Sequence, residues 1–145
     1  MAIFNGTDLI IEIQEVNGVA AEYKLLHAQN VSLSINVDPI DISNKDSAGF
    51  RDIIGGQKSF SLSADGLMDF NPTTAADTEV DELTTQMLDR TAVTFTFTLS
   101  STAAGDYFYS GSGFVTSLEI SAGTEDAPTY SCSIEGTGAL TVTTV

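Results

Sequence analysis

Positive charge is the scarcest thing in this chain. Five Lys and Arg stand against 20 Asp and Glu in 145 residues, a formal charge of −15. If Lys24, Lys45, Arg51, Lys58 and Arg90 each paired with a carboxylate, fifteen carboxylates would be left over. A protein that grips duplex DNA needs a basic stripe to neutralise phosphates, and this composition excludes one. Docking on an anionic membrane is disfavoured for the same reason. Tryptophan is absent, so an aromatic sugar platform would rest on Phe and Tyr alone. The one cysteine, Cys132, excludes an intrachain disulfide and a cysteine metal cluster. No apolar run approaches the roughly 20 residues of a membrane-spanning helix. The opening Met1-Ala-Ile-Phe-Asn-Gly-Thr-Asp8 has neither the basic segment nor the apolar run of a secretory signal. The expected place of synthesis is the cytoplasm, with a particle assembled there as a destination.

What remains is a chain built to fold. Self-repulsion opposes compaction, yet 42% hydrophobic residues argue against disorder. The length suits one domain, expected to span residues 1–145. Period-2 alternation dominates the pattern. Val31, Leu33, Ile35 and Val37 alternate with Ser32, Ser34 and Asn36; Phe60, Leu62 and Ala64 alternate with Ser59, Ser61 and Ser63. Val93–Leu99 sets Thr94, Thr96 and Thr98 against apolar neighbours, and Tyr130–Ile134 repeats the scheme. Each stretch predicts a strand with one buried face and one polar, uncharged face. Weaker strands are predicted at Leu9–Gln14, Glu22–His27, Tyr107–Ser110, Phe114–Ser121 and Leu140–Thr143. Turn chemistry punctuates them at Asn17-Gly18, Asp65-Gly66, Gly105-Asp106 and Gly136-Thr-Gly138. The expected fold is mainly β, a sandwich or half-barrel of antiparallel strands.

One helix is predicted over residues 77–90, with Val80, Leu83, Met87 and Leu88 as its apolar stripe and Asp77 as N-cap. Pro72 stops the chain upstream of it. Residues 38–58 show no steady period and predict a long extended loop. Loops of that length are usually functional or disordered. Ile40, Ile42, Phe50, Ile53 and Ile54 argue against permanent disorder, so the loop is expected to order against a partner.

Catalytic patterns are missing. His27 is the only histidine, and no Gly-x-Ser-x-Gly elbow accompanies it; Ser110-Gly-Ser-Gly113 reads as a turn. Gly55-Gly-Gln-Lys-Ser59 fails as a phosphate loop, because Gln57 separates Gly56 from Lys58 and Arg51 stands where the first Gly is required. Asn44, Asp46 and Gly49 begin like a calcium loop, but Ala48 and Gly55 occupy ligand positions, the latter that of a bidentate Glu. Asp38, Asp41, Asp46 and Asp52 could still gather around a hard cation, although a solvated acidic loop is the plainer reading. The chain is therefore read as a non-enzyme without cofactor or bound metal. Strand edges that lack lysine gatekeepers invite pairing between copies. A calcium-loaded β-sandwich binding module, an adhesin or carbohydrate-binding domain, is the alternative.

Two segments narrow this further. Asp41-Ile-Ser-Asn-Lys-Asp-Ser-Ala-Gly-Phe-Arg51, followed by Gly56-Gln-Lys-Ser-Phe-Ser-Leu-Ser-Ala-Asp-Gly66, resembles the signature of major tail tube proteins of long non-contractile phage tails. Gly111–Ser121 and Ala127–Gly138 are similar to that family's C-terminal half, and the resemblance covers roughly residues 5–143. Phe50 stands where the family often has Trp. The resemblance implies a structural virion protein that self-assembles into stacked, hexameric rings. Inner strands would close a barrel around a channel for double-stranded DNA, which passes without specific binding. Tape-measure, tail terminator and distal tail proteins would be the other partners, with no membrane. The loop between early strands would reach the next ring, with Asp41, Lys45, Asp46, Phe50, Arg51, Asp52 and Lys58 as its contact residues. Acids in the lumen would repel phosphate; the candidates are Glu12, Glu119 and Glu135.

Overall fold

The alternating segments do become strands, and the glycines decide how long those strands run. The protein was analysed as a computed structural model that describes residues 6–15, 23–25, 28–68, 77–78, 80–99 and 103–145. In chain order these form β1 (Leu9–Glu15), β2 (Tyr23–Leu25), β3 (Ala28–Asp41), β4 (Ile53–Leu67), β5 (Asp77–Thr78), α1 (Val80–Asp89), β6 (Val93–Leu99), β7 (Tyr107–Ser121) and β8 (Thr129–Thr144). They make one sheet in the order β3-β4-β8-β7-β6-β1-β2-β5, antiparallel throughout except for the β2–β5 contact. The sheet curls. β1 and β3 are five places apart in it, yet residues of both line one cavity of about 460 Å³. The expected mainly-β half-barrel is therefore what forms: among the described residues there is one α-helix and one curled sheet, open at its edges rather than closed into a barrel.

Three predicted turns prove to be strand. Asp65-Gly66 continues β4, Ser110–Gly113 lies inside β7, and Gly136–Gly138 lies inside β8. In the last two places glycine serves close packing between strands. A Cβ on Gly113 would meet the Glu135 carbonyl oxygen at 2.6 Å, and one on Gly136 would fall within the Phe60 ring. Pairing slips between Ser110 and Ser112, where β8 steps from Thr141 to Thr137 through Gly138 at φ 75°. This bulge bends β8 away from β4, whose pairing with it ends at Ser61–Glu135. Asn17-Gly18, His27 and Pro72 lie outside the described residues.

Below that fork the two halves of the sheet enclose the core. Phe60, Leu62 and Ala64 of β4 meet Tyr130, Cys132 and Ile134 of β8, Val93 and Phe95 of β6, and Ile11 and Ile13 of β1. Phe60 and Phe95 pack with ring centroids 5.8 Å apart. Burial pushes the Cys132 thiol up to about 11 and raises the Tyr130 phenol as well. Cys132 thus stays a protonated core side chain.

The helix is shorter than its pattern and docks by less of it. Asp77 is not its cap; it belongs to β5, where its backbone pairs with Lys24. Leu83 is fully buried and Gln86 nearly so, whereas Met87 is 38% and Leu88 77% exposed. Leu88 lies five residues from Leu83, about 140° around the helix, and so leaves the docked face. The C-terminus closes as a Schellman turn: Thr91 N–H donates to the Gln86 carbonyl at 3.0 Å and Arg90 N–H to the Met87 carbonyl at 3.3 Å. That motif places Arg90 at φ 57°, a position glycine fills without strain. Arg90→Gly is therefore expected to raise stability by about 0.5–1 kcal/mol, read as a higher urea midpoint at unchanged slope.

Candidate functional site

Two surfaces stand out once the chain is folded: a projecting arm and an acidic face. The arm is the distal part of the β3–β4 hairpin. β4 pairs with β8 only from Ser61 onward, so residues 36–58 form a two-stranded ribbon without a third strand. Much of the expected loop at 38–58 is therefore strand, with irregular backbone confined to Ile42–Asp52. The strand alternation of Ile35, Val37 and Ile40 continues past the core, and these side chains are half exposed. So are Ile42, Ile53 and Ile54, and Phe50 is 81% exposed.

The arm tip carries hydrogen bonds of its own. Asn44 caps a single 3-10 turn, Lys45–Ser47: its Oδ1 accepts from Asp46 N–H at 2.8 Å, while Ser47 Oγ accepts from Asn44 N–H at 3.1 Å. Ile42 N–H donates to the Asp52 carbonyl at 2.9 Å, and Asp52 N–H to Ser43 Oγ at 2.8 Å. Ala48 and Gly49 reverse the chain at φ 51° and 84°. Hydrogen bonds from the Ser43 side chain and amide hold the Asp41 carboxyl below the usual carboxylate range, and Arg51 adds a contact at 3.6 Å. The tip thus gathers Asp41, Lys45, Asp46, Phe50, Arg51 and Asp52. Lys58 lies apart, on the ribbon beside Val37 and in register with the apolar side chains.

The acidic face is the outer side of β3, β4, β8 and β7. Its rows follow from the register: Asn30, Asp65, Ser131, Glu119; then Ser32, Ser63, Ser133, Ser117; then Ser34, Ser61, Glu135, Phe114. Twelve positions hold three carboxylates and no cation. Asn30 Nδ2 donates to Asp65 Oδ2 at 3.0 Å, and the Ser32 and Ser63 hydroxyls share a hydrogen bond. Glu119 and Glu135 thus lie on one face, their rows four residues apart along β8. Asp65 joins them and was missed, because Asp-Gly reads as a turn; its even spacing after Ser61 and Ser63 was the available signal. Glu12 is not part of this cluster. It sits on β1, two strands beyond β7, opposite Thr96 and Lys24.

Among the described residues, two strand edges are open beside this face. β3 has a neighbour on one side only, and β6 pairs β7 only from Tyr109 to Gly113, leaving Phe114–Ser121 with β8 alone. Among the described residues no three His, Cys, Asp or Glu side chains gather as a metal-holding group. Asp38, Asp41, Asp46 and Asp52 form no such group, so the calcium-module reading gains no site.

Comparison with known proteins agrees with this geometry. A family model described as phage tail tube protein matches residues 3–142. Among solved structures, the chain is similar to one in the virion of a native gene transfer agent particle, with TM-score 0.76 and 21% identity over 97% of this chain and 99% of that one. It is similar to one in the tail of an empty gene transfer agent particle determined with C6 symmetry, with TM-score 0.79 and 20% identity over 97% and 99%. It is also similar to the SPP1 tail tube protein, with TM-score 0.77 and 12% identity over 99% of this chain and 80% of that one. At these identities the likeness is one of fold. A sequence search of curated proteins finds no match.

Proposed function

This chain belongs to the phage tail tube protein family, and from that premise we propose that it acts as one β-domain whose copies close into six-membered rings and stack into the tube of a virion. Its role is structural, not catalytic. The observation that carries this reading is the arm: a two-stranded ribbon is marginal alone in water, and this one exposes six large apolar side chains. Such a surface is made to be covered. The fold likeness to a tail solved with C6 symmetry supports the ring size.

Ring closure uses the open edges. The free edge of β3 in one copy adds to the free Phe114–Ser121 edge of β7 in the next, so β3, β4, β8 and β7 continue around a barrel. The polar face turns inward. Asp65, Glu119 and Glu135 then present carboxylates to the channel, and serines fill the positions between them. DNA passes such a wall without adhering, because every phosphate meets like charge and no cation holds it. Glu12 is left out of this lumen set. The arm, with Asp41, Lys45, Asp46, Phe50, Arg51 and Asp52 at its tip and Lys58 on its apolar flank, reaches the adjacent ring. Tape-measure, terminator and distal tail proteins would meet the tube inside and at its ends.

Negative-stain microscopy of concentrated purified protein tests this. Rings or tubes with an open centre are expected. A protein that stays strictly monomeric at high concentration, with a melting temperature that jumps on adding calcium, would overturn it.

A further inference from the structure

The half-barrel is open along one seam, at the base of the subunit and away from the arm. There β3 begins, with Ala28 paired to Gly66 near the end of β4, and β3 has β4 on one side alone. β2 pairs with β1 only at Glu12 and Ile13, so among the described residues Leu9–Ile11 has β6 on one side alone. Between these two bare edges lies the cavity of about 460 Å³, walled by Leu9, Ile10 and Ile11 of β1 and by Ala28 and Val31 of β3, among others. Among the described residues that line it none is ionisable, in a chain of formal charge −15. Ile11 and Val31 also pack in the core, so the cavity opens on the core side of the sheet. An apolar side chain can enter it without stripping water from a charge.

Such a side chain stands at the other edge of the same row. The register joins Ala28 to Gly66, Gly66 to Tyr130 and Tyr130 to Ile120, across β3, β4, β8 and β7. Directly opposed residues share a face, and Tyr130 is buried, so Ile120 also faces the core side. It is nevertheless 49% exposed. The reason is that β6 leaves β7 at Gly113, so no described strand lies beyond β7 at the level of Ile120. Cavity and exposed isoleucine thus occupy one base row, at opposite edges of one subunit.

We propose that Ile120 of one copy fills the cavity between β1 and β3 of the next copy in the same ring. This rests on the ring closure by β3 and β7 edges described above, and names the side chain and socket that seat them. A rotation axis keeps every residue at its height along the axis. Where the strands run along the channel, base row therefore meets base row. Adding β3 to the free edge of β7 then brings Ala28–Val31 beside Ile120, whose side chain enters the adjoining cavity. The carboxylates of Asp65 and Glu119 take no part, because they lie on the opposite face of the sheet. The contact is heterologous: each copy inserts one isoleucine and receives one. A closed ring leaves none exposed, whereas an open row leaves one isoleucine and one cavity in water.

Cysteine cross-linking tests it. Opposed residues on neighbouring antiparallel strands have Cα atoms about 4.5–5.5 Å apart, within disulfide reach. Ile120→Cys is combined in turn with Ala28→Cys and with Val31→Cys, both on the core face. On mild oxidation at least one pair is expected to give a covalent ladder that ends at six, while each single variant gives none. Mixing the two single variants of that pair is expected to give covalent dimers. Rings visible by negative stain with neither pair cross-linking would overturn the inference. Ile120→Asp supplies a second measurement: a folded subunit, by its melting temperature, that needs about ten-fold or more the concentration to form rings, with Ile120→Val close to the parent. Ile120→Asp rings at the parent's concentration would also overturn it, since the cavity would then have another occupant; if Ile120→Asp does not fold, the cross-links decide. If the unsubstituted protein forms neither rings nor tubes, the tube reading itself fails, and that result is distinct from the others.

Discussion

Gly136→Ala is expected to destabilise the folded subunit by about 3 kcal/mol, more than any single surface change would. Gly136 does not have the positive φ that would make glycine a backbone necessity; among the described glycines that applies to Gly49, Gly105 and Gly138. Alanine would even gain a few tenths of a kcal/mol from reduced unfolded-state entropy. The penalty comes from the Phe60 ring, three of whose atoms occupy the space a Cβ at 136 would need. Phe60 cannot withdraw easily. A Cβ built on Gly111 shows the same ring tip 3.2 Å away, and Phe95 packs against it at 5.8 Å between centroids. The ring therefore sits in a slot floored by two glycines, at the fork where β8 leaves β4. Shortening the ring should relieve the clash. Phe60→Leu removes two of the three offending atoms, Cε2 and Cζ, and leaves a δ carbon free to rotate away, so Gly136→Ala combined with Phe60→Leu is expected to be at least about 1 kcal/mol more stable than additivity predicts. Urea unfolding of the four proteins measures this. Additive losses, or a Gly136→Ala variant that unfolds like the parent, would show that the ring does not hold the fork.

Much of this architecture was legible because strands with one polar face advertise themselves. Val31–Val37, Ser59–Ala64, Val93–Leu99 and Tyr130–Ile134 are strands with the faces that alternation assigns, apart from the distal arm and the buried Thr98. The misread turns share one physical cause. Glycine serves turns through free φ and close strand packing through its missing Cβ, and a single sequence does not separate the two. Ser110–Gly113 and Gly136–Gly138 were thus read as breaks, where β7 and β8 in fact continue through a bulge. The helix stripe failed at Leu88 because ten residues dock by little more than one turn, so an apolar residue at the margin stays outside. The arm was read as a loop because Pro39, Gly55 and Gly56 interrupt the pattern; Val37 and Pro39 flank a register shift, yet Ile40 and Ile54 still pair across the ribbon. The acidic face was found in part. Glu12, Glu119 and Glu135 were singled out as acids on predicted strands; the register across four strands puts Glu119, Glu135 and Asp65 on one face and leaves Glu12 on β1.

Ile40→Asp with Ile54→Asp is expected to yield a subunit that folds and does not assemble. The two residues are cross-strand partners on the arm, each about half exposed, 49% and 50%. Neither belongs to the core cluster, which is built from β1, β4, β6, β7, β8 and α1 below the fork. The melting temperature should therefore move by only a few degrees. Assembly has much more to lose. Covering a half-exposed aliphatic side chain contributes about 1 kcal/mol, so Ile35, Val37, Ile40, Ile42, Ile53 and Ile54 together offer on the order of 6 kcal/mol per subunit, before the ordering and association costs that oppose it. The substitution removes two of these and asks the interface to bury two carboxylates that face each other, at several kcal/mol of desolvation and repulsion. Ile40→Asn with Ile54→Asn adds no charge and separates the two causes: tubes weakened but present would assign the larger share to the buried carboxylates. Phe50→Ala with Arg51→Ala acts at the tip alone and is expected to stop stacking while leaving rings, since it spares the ribbon. Sedimentation velocity with negative-stain imaging reads all three. If the Ile40→Asp, Ile54→Asp protein still forms tubes, the arm is not the surface that joins the copies, and its exposed apolar ribbon would need another partner to cover it.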